Sequence, residues 1–142
     1  MIFMKILQNS FRLPPFRRGF HLIDTIVERE FHALNSVETG LLHLFLKHTS
    51  ASLALGENAD PSVRVDLEHY FSDLVDDKPY FTHTLEGSDD MPAHIKSMTI
   101  GVSVTLPITA GRINTGTWQG VYLCEHRDHA GSREIVMTIS GM

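Results

Sequence analysis

The chain has 142 residues, of which 42% are hydrophobic and 20% charged, and a formal net charge of −5 at pH 7. That suits one domain over residues 1–142, with a core that needs no disulfide or metal staple. The charge excludes a general nucleic-acid binder, which needs clustered Lys and Arg, and Arg17-Arg18 is only a pair.

The opening Met1 to Leu7 lacks the basic head, apolar run and small-residue cleavage site of a signal peptide, and Met4 is an alternative start. No apolar run approaches the ~20 residues that cross a bilayer, so no membrane partner is expected. The single Cys124 rules out an intramolecular disulfide and suits a reducing compartment, which makes a cytoplasmic protein the expectation.

Phe3 to Phe11 reads as an opening strand that Pro14-Pro15 breaks. Asp24 is placed to cap a helix carrying Ile26, Val27, Phe31 and Leu34 on one side. After Gly40, Leu41 to Lys47 is apolar enough for a buried strand, and Ala51 to Leu55 reads as a strand paired with it through the His48-Thr49-Ser50 turn. Asp60-Pro61 is an N-cap followed by proline at the first helical position, where a missing N–H costs nothing. Val63, Leu67, Phe71 and Leu74 then recur at helical spacing, predicting a helix over Pro61 to Val75.

Asp76 to Pro92 is polar and too long for a simple turn, and loops of that length tend to be functional. A short helix from about Pro92 carries His94 to Met98. Val102, Val104, Leu106 and Ile108 alternate along a strand, Ala110-Gly111-Arg112 turns, and Val121 to Glu125 and Ile135 to Ile139 add two more strands. Without a βαβ rhythm, the pattern predicts an α+β fold with mainly antiparallel sheets and two main helices.

Nine histidines against four lysines invite metal or acid–base chemistry. His48 stands at a strand end, where a side chain is held rigidly yet faces a cleft. His83, Glu86 and His94 belong to or flank the polar loop, and His48, His83 and His94 together would make a three-histidine zinc or other divalent site with an open position. No His-Glu-x-x-His or Cys-x-x-Cys supports it, so the spacing itself is not diagnostic. His21, His32, His43 and His69 read as partly buried or solvated, and His126 and His129 as members of an exposed hairpin loop.

Trp118, the only tryptophan, sits in a glycine-flanked turn beside Gln119, where a flat ring, an amide and backbone N–H groups suit a planar or phosphorylated ligand. The plainer alternative folds the indole back over a sheet. Arg112 and Arg133 offer guanidinium forks to an anion, although arginines at strand edges commonly make solvated ion pairs. Neither a nucleophile elbow nor a glycine-rich nucleotide loop is present.

Four segments occur in one fixed order: His48-Thr-Ser-Ala-Ser-Leu, Glu57-Asn-Ala-Asp-Pro-Ser-Val-Arg, Pro92-Ala-His-Ile-Lys-Ser and Gly116-Thr-Trp-Gln-Gly-Val-Tyr-Leu-Cys-Glu-His-Arg. In that order they closely resemble the YjbQ-like family, also called secondary thiamine-phosphate synthase enzymes. The resemblance implies a compact α+β homotrimer with a sandwich-like core. It also implies a polar pocket containing His48, Glu57, Asn58, Asp60, His83, His94, Gln119 and Glu125.

The implied activity is a weak thiamine-phosphate synthesis, in which a thiazole phosphate displaces pyrophosphate from an aminopyrimidine methylene. A phosphorylated small molecule is then the partner, and a divalent ion such as zinc or magnesium the cofactor, held by His48, His83 and His94. His48, Glu57, Asp60 and Glu125 are the catalytic candidates. Asn58, Arg112, Trp118, Gln119 and Arg133 are those for substrate. A metal- or metabolite-binding trimer without catalysis is the main alternative, and an unrelated metal-dependent hydrolase a third reading.

Overall fold

The computed structural model describes residues 3–142. In chain order they form β1 (Lys5–Arg12), β2 (Gly19–Leu22), α1 (Asp24–Leu34), β3 (Thr39–Leu46), β4 (Ala51–Glu57), α2 (Pro61–Val75), α3 (Asp90–Ile100), β5 (Ser103–Thr109), β6 (Arg112–Ile113), β7 (Gln119–Glu125) and β8 (Glu134–Gly141). The strands build two antiparallel sheets, ordered β1-β8-β3-β5-β6 and β2-β7-β4. This is the expected α+β class.

The two sheets share one core. Leu42, Leu44, Leu106, Ile135, Met137 and Ile139 enter it from the large sheet, Ala51, Leu53, Val121 and Leu123 from the small one, and Val27 and Phe31 from α1. A side chain such as Phe31 contributes about 1.5–3 kcal/mol when fully withdrawn from water. The small sheet has a second apolar face, where Phe20, Tyr122 and Cys124 meet Leu67 and Phe71 of α2. Covered on both sides, β7 is buried from Gly120 through Glu125, and Cys124 is a packed strand residue whose burial pushes its thiol pKa up.

The helix α2 matches its predicted limits, with Asp60 Oδ1 accepting from Ser62 N at 2.9 Å. Several other expectations are corrected. Leu74 is 52% exposed, and Val75 is buried instead. Asp24 does not cap α1; Ile23 takes that position, and Asp24 Oδ1 accepts from Val121 N at 3.1 Å, tying the helix to β7. β3 is not buried throughout, because its second face meets solvent and leaves Leu41 and Phe45 exposed. β4 does not pair with β3; the chain crosses between sheets at residues 47–50, so β3 lies between β5 and β8 while β4 pairs β7. β2 is too short to show a period. His126 is buried at 1% exposure rather than lying in an exposed loop, because it continues past β7 into the layer beneath the helices, bonded to Ser52 Oγ at 2.5 Å.

Candidate metal and substrate site

The start of α3 brings three ligand-type side chains together. Asp90 and His94 are one turn apart and therefore share a helix face, while His83 reaches them from the preceding loop. Their ligand atoms all lie within 4.8 Å of one another. His83 Nε2 is 2.7 Å from Asp90 Oδ2, and His94 Nε2 is 3.2 Å from the same oxygen.

The hydrogen bond on the far side of His94 decides what this means. His94 Nδ1 is 2.8 Å from the Thr49 carbonyl oxygen, which can only accept, so Nδ1 carries a proton. In the neutral ring Nε2 is then a bare lone pair directed at a carboxylate oxygen that also only accepts. Such a contact repels unless a proton or a cation lies between, and a histidine anchored through its second nitrogen is the usual partner of a metal.

Asp90 itself is held from behind. Arg127 donates from Nη1 to Asp90 Oδ1 at 2.7 Å, from Nε to Asp89 Oδ2 at 2.9 Å and from Nη2 to the Glu86 carbonyl at 2.9 Å. One guanidinium therefore fixes the loop end and the helix start, leaving Oδ2 for the imidazoles. Burial works to raise the Asp90 pKa, but the His83 hydrogen bond and the charges of His94 and Arg127 outweigh it and hold the carboxyl below its usual value.

His48 does not join the cluster. Its Nε2 accepts the Glu134 backbone N–H at 2.8 Å, so its ligand position is used and the proton of the neutral ring sits on Nδ1. Burial, followed by the charges of Arg133 and Arg12, lowers its pKa and favours that neutral form. It does share a cavity of about 640 Å³ with His94, floored by Met98, Gly101 and Val102, and no Lys or Arg lines that cavity.

Glu125 and Arg133 lie behind this region, both buried and each the other's partner. Arg133 also donates to Ser50 Oγ at 2.9 Å, and Arg127 N donates to Glu125 Oε2 at 3.2 Å. Both carboxylate oxygens of Glu125, and Nε and Nη2 of Arg133, are thus engaged inside the chain.

The remaining candidates gather at the opposite end of the small sheet. Ala51 pairs with Glu125 at one end of β4 and Glu57 with Gln119 at the other, a separation of about 20 Å at ~3.3 Å per residue. There the motif residues fold one another. Glu57 accepts from the backbone N–H of Ala59 and Asp60, Asn58 Nδ2 donates to the carbonyls of Thr117 and Gln119 at 3.1 Å each, and Gln119 Oε1 accepts from Gly116 N at 2.8 Å. The hydrogen bond from the Ser62 backbone lowers the Asp60 pKa. Gly120 is required here, since a Cβ would lie 2.6 Å from Leu22 Cδ2 and 2.9 Å from Asn58 Cβ. Trp118 is 67% exposed on the resulting loop. Arg112 begins β6 opposite Thr109, with the length of β5 between it and Val102.

Within one chain, then, the structure joins His83 and His94 and places His48 beside them. It sets Glu57, Asn58, Asp60, Trp118, Gln119 and Arg112 elsewhere. Sequence reasoning missed Asp90 and Arg127. Asp90 stands four residues before His94, a spacing that becomes one helix face only because α3 begins at Asp90 rather than near the expected Pro92; Arg127 carried no local signal.

Comparison with known proteins agrees with the motif order. Residues 9–142 match the family model described as UPF0047 protein YjbQ-like. The chain is 52% identical over 134 residues to UPF0047 protein YjbQ of Salmonella typhimurium, covering 94% of this chain and 97% of that one. It is 40% identical over 107 residues to a UPF0047 protein of Methanocaldococcus jannaschii, covering 75% of each. A crystal structure of a conserved hypothetical protein from Thermus thermophilus superposes with a TM-score of 0.77 at 36% identity, over 90% of this chain and 97% of that one. A YbjQ-like structure from Sulfolobus solfataricus gives a TM-score of 0.87 at 20% identity over 99% and 100%, a likeness of fold alone.

Proposed function

The chain belongs to the YjbQ-like UPF0047 family, and from that premise we propose that it is a metal-assisted small-molecule enzyme with weak thiamine-phosphate synthase activity. In this reading it joins an aminopyrimidine pyrophosphate to a thiazole phosphate. The observation that carries the metal-assisted part is the facing pair of acceptors, His94 Nε2 and Asp90 Oδ2 at 3.2 Å, beside a cavity large enough for a small molecule. The synthase reaction itself rests on the family resemblance.

The donors fit a divalent ion held by His83, Asp90 and His94, and two imidazoles with one carboxylate favour zinc over magnesium. When bound, the ion supplies positive charge against which pyrophosphate departs. Arg127 keeps Asp90 Oδ2 aimed at the site, and the Thr49 carbonyl keeps the lone pair of His94 on Nε2. His48 acts as a fixed neutral donor through Nδ1 rather than as a ligand. Met98 and Val102 exclude water from one side of a planar substrate.

We place the protein in the cytoplasm, supported by its single buried cysteine; no helix among the described residues is long and apolar enough to cross a membrane. The proposal includes a homotrimer. Gln119 lies about 20 Å along the small sheet from the Ala51 end, beside which His94 bonds the Thr49 carbonyl, and this leaves a neighbouring copy to bring Trp118 and Gln119 to the cavity.

The test is thiamine phosphate formation by chelator-treated protein, with zinc or magnesium restored, alongside His94→Ala and Asp90→Asn. Metal-dependent product that both substitutions abolish supports the proposal. Equal product from all three proteins removes it. A second reading, a metal- or metabolite-binding protein without turnover, draws on the lack of any Lys or Arg along the cavity. Zinc binding without product would favour it.

A further inference from the structure

A second cleft, of about 420 Å³, runs along the first half of α2, with the segment Arg17 to His21 as its other wall. It shares no lining residue with the His94 cavity. In a chain of net charge −5 its lining is unusual, with Arg17, Arg18 and Arg64 facing a single carboxylate, Glu68.

That carboxylate is already engaged. Arg18 donates from Nε to Glu68 Oε1 at 2.8 Å and from Nη2 to Asp76 Oδ2, so both Arg18 and Glu68 already have partners within the protein. Among the described residues, the side chains of Arg17 and Arg64 make no hydrogen bond and no ion pair. Arg64 Nη1 is buried with no partner at all. An ionised N–H withdrawn from water and left without an acceptor is costly; no partner among the described residues holds this fork, and turning it to an acceptor in the cleft relieves the cost. Asp60 acts on Arg64 through its charge, but it lies beyond ion-pair distance and its Oδ1 is held by Ser62 N.

We propose that this cleft binds the phosphate group of a small molecule, gripped by Arg64 and Arg17. Two guanidiniums offer planar forks of donors that match phosphate oxygens. Their combined charge balances the nearly two negative charges of a phosphate monoester, whereas one carboxylate would leave a cation unpaired. His69 adds a further donor on α2, and Val65 and Phe20 supply apolar wall for the rest of the molecule. Two cations in one cleft do not form the track that a nucleic acid requires. The inference is independent of the function proposed above, which uses none of these residues.

The test is calorimetric titration of inorganic phosphate into the full chain, without added metal and at constant ionic strength, with chloride and acetate in parallel. One saturable phosphate site per chain is expected. Arg64→Gln and Arg17→Gln should each weaken it at least tenfold, and His94→Ala should leave it unchanged. Matching heats from chloride or acetate would identify an adventitious ion only and overturn the proposal. Phosphate binding that survives Arg64→Gln, or is lost in His94→Ala, would overturn it as well. Circular dichroism checks that each variant is folded, and Arg17→Gln, on an exposed side chain, carries the same threshold if Arg64→Gln is not.

Discussion

Arg133 and Glu125 form a two-point ion pair sealed inside the protein, Nε to Oε1 at 2.7 Å and Nη2 to Oε2 at 2.6 Å. Eight residues apart in sequence, they connect the end of β7 to the start of β8. Glu125→Ala would strand a buried guanidinium, and a loss of about 3–5 kcal/mol is expected in urea unfolding. Leucine at 125 with methionine at 133 should regain most of it. An unchanged midpoint in Glu125→Ala would show that the pair is not structural.

His126 should shape the acid limb of stability. Burial first, and then the charges of Lys96, Arg18 and Arg133, push its pKa down to about 3 from the usual 6.5. Between those values the unfolded chain takes up a proton that the native state refuses. Its contribution is therefore complete above about pH 6.5 and declines as pH falls toward 3, by about 1.4 kcal/mol per pH unit. His126→Gln should flatten stability against pH by about one proton between pH 6 and 5. His48, whose pKa is also lowered, leaves some residual slope.

Zinc binding should depend on Asp90 more than on His48. Asp90→Asn replaces the shared oxygen donor of the cluster and is expected to weaken zinc at least tenfold, while His48→Ala leaves affinity within about threefold. Because imidazole ligands must be unprotonated, zinc affinity should fall as protons compete for them at lower pH. Calorimetry in two buffers of different ionisation enthalpy reads both effects. Equal losses in the two variants would return His48 to the ligand set.

Asn58→Ala should free the loop at residues 116–119, because the amide binds two of its carbonyls. Trp118 reports this directly: lower fluorescence anisotropy and faster quenching by acrylamide are expected, with little change in the unfolding midpoint. Unchanged anisotropy would mean that the remaining bonds, between Gln119 and Gly116 and from Asn58 N to the Trp118 carbonyl, hold the loop.

Some of this architecture was legible in the chain, wherever the deciding interactions are local. Asp60-Pro61 and the apolar recurrence after it set both ends of α2, since a cap and a helical period act within a few residues. The alternation of Val104, Leu106 and Ile108 likewise placed β5. The partner of β4 was not legible. Nearness suggested β3, but β8 arrives some ninety residues later to lie beside β3, and the chain turns away into the other sheet.

The candidate site divides along the same line. Composition and motif order marked the histidines, the acidic loop and the tryptophan turn as unusual. Sequence alone also determined the α+β class and the family, because periodicity, caps and ordered motifs are written in neighbouring residues. Only the tertiary structure decided which of those residues meet. Asp90 becomes a candidate ligand because Arg127 occupies its other oxygen, and His94 presents Nε2 because the Thr49 carbonyl takes the proton of Nδ1. His48 is withdrawn by a backbone N–H 86 residues away. A side chain's role rests on which of its lone pairs and protons are already engaged, and partners so distant along the chain are chosen only when the sheets close.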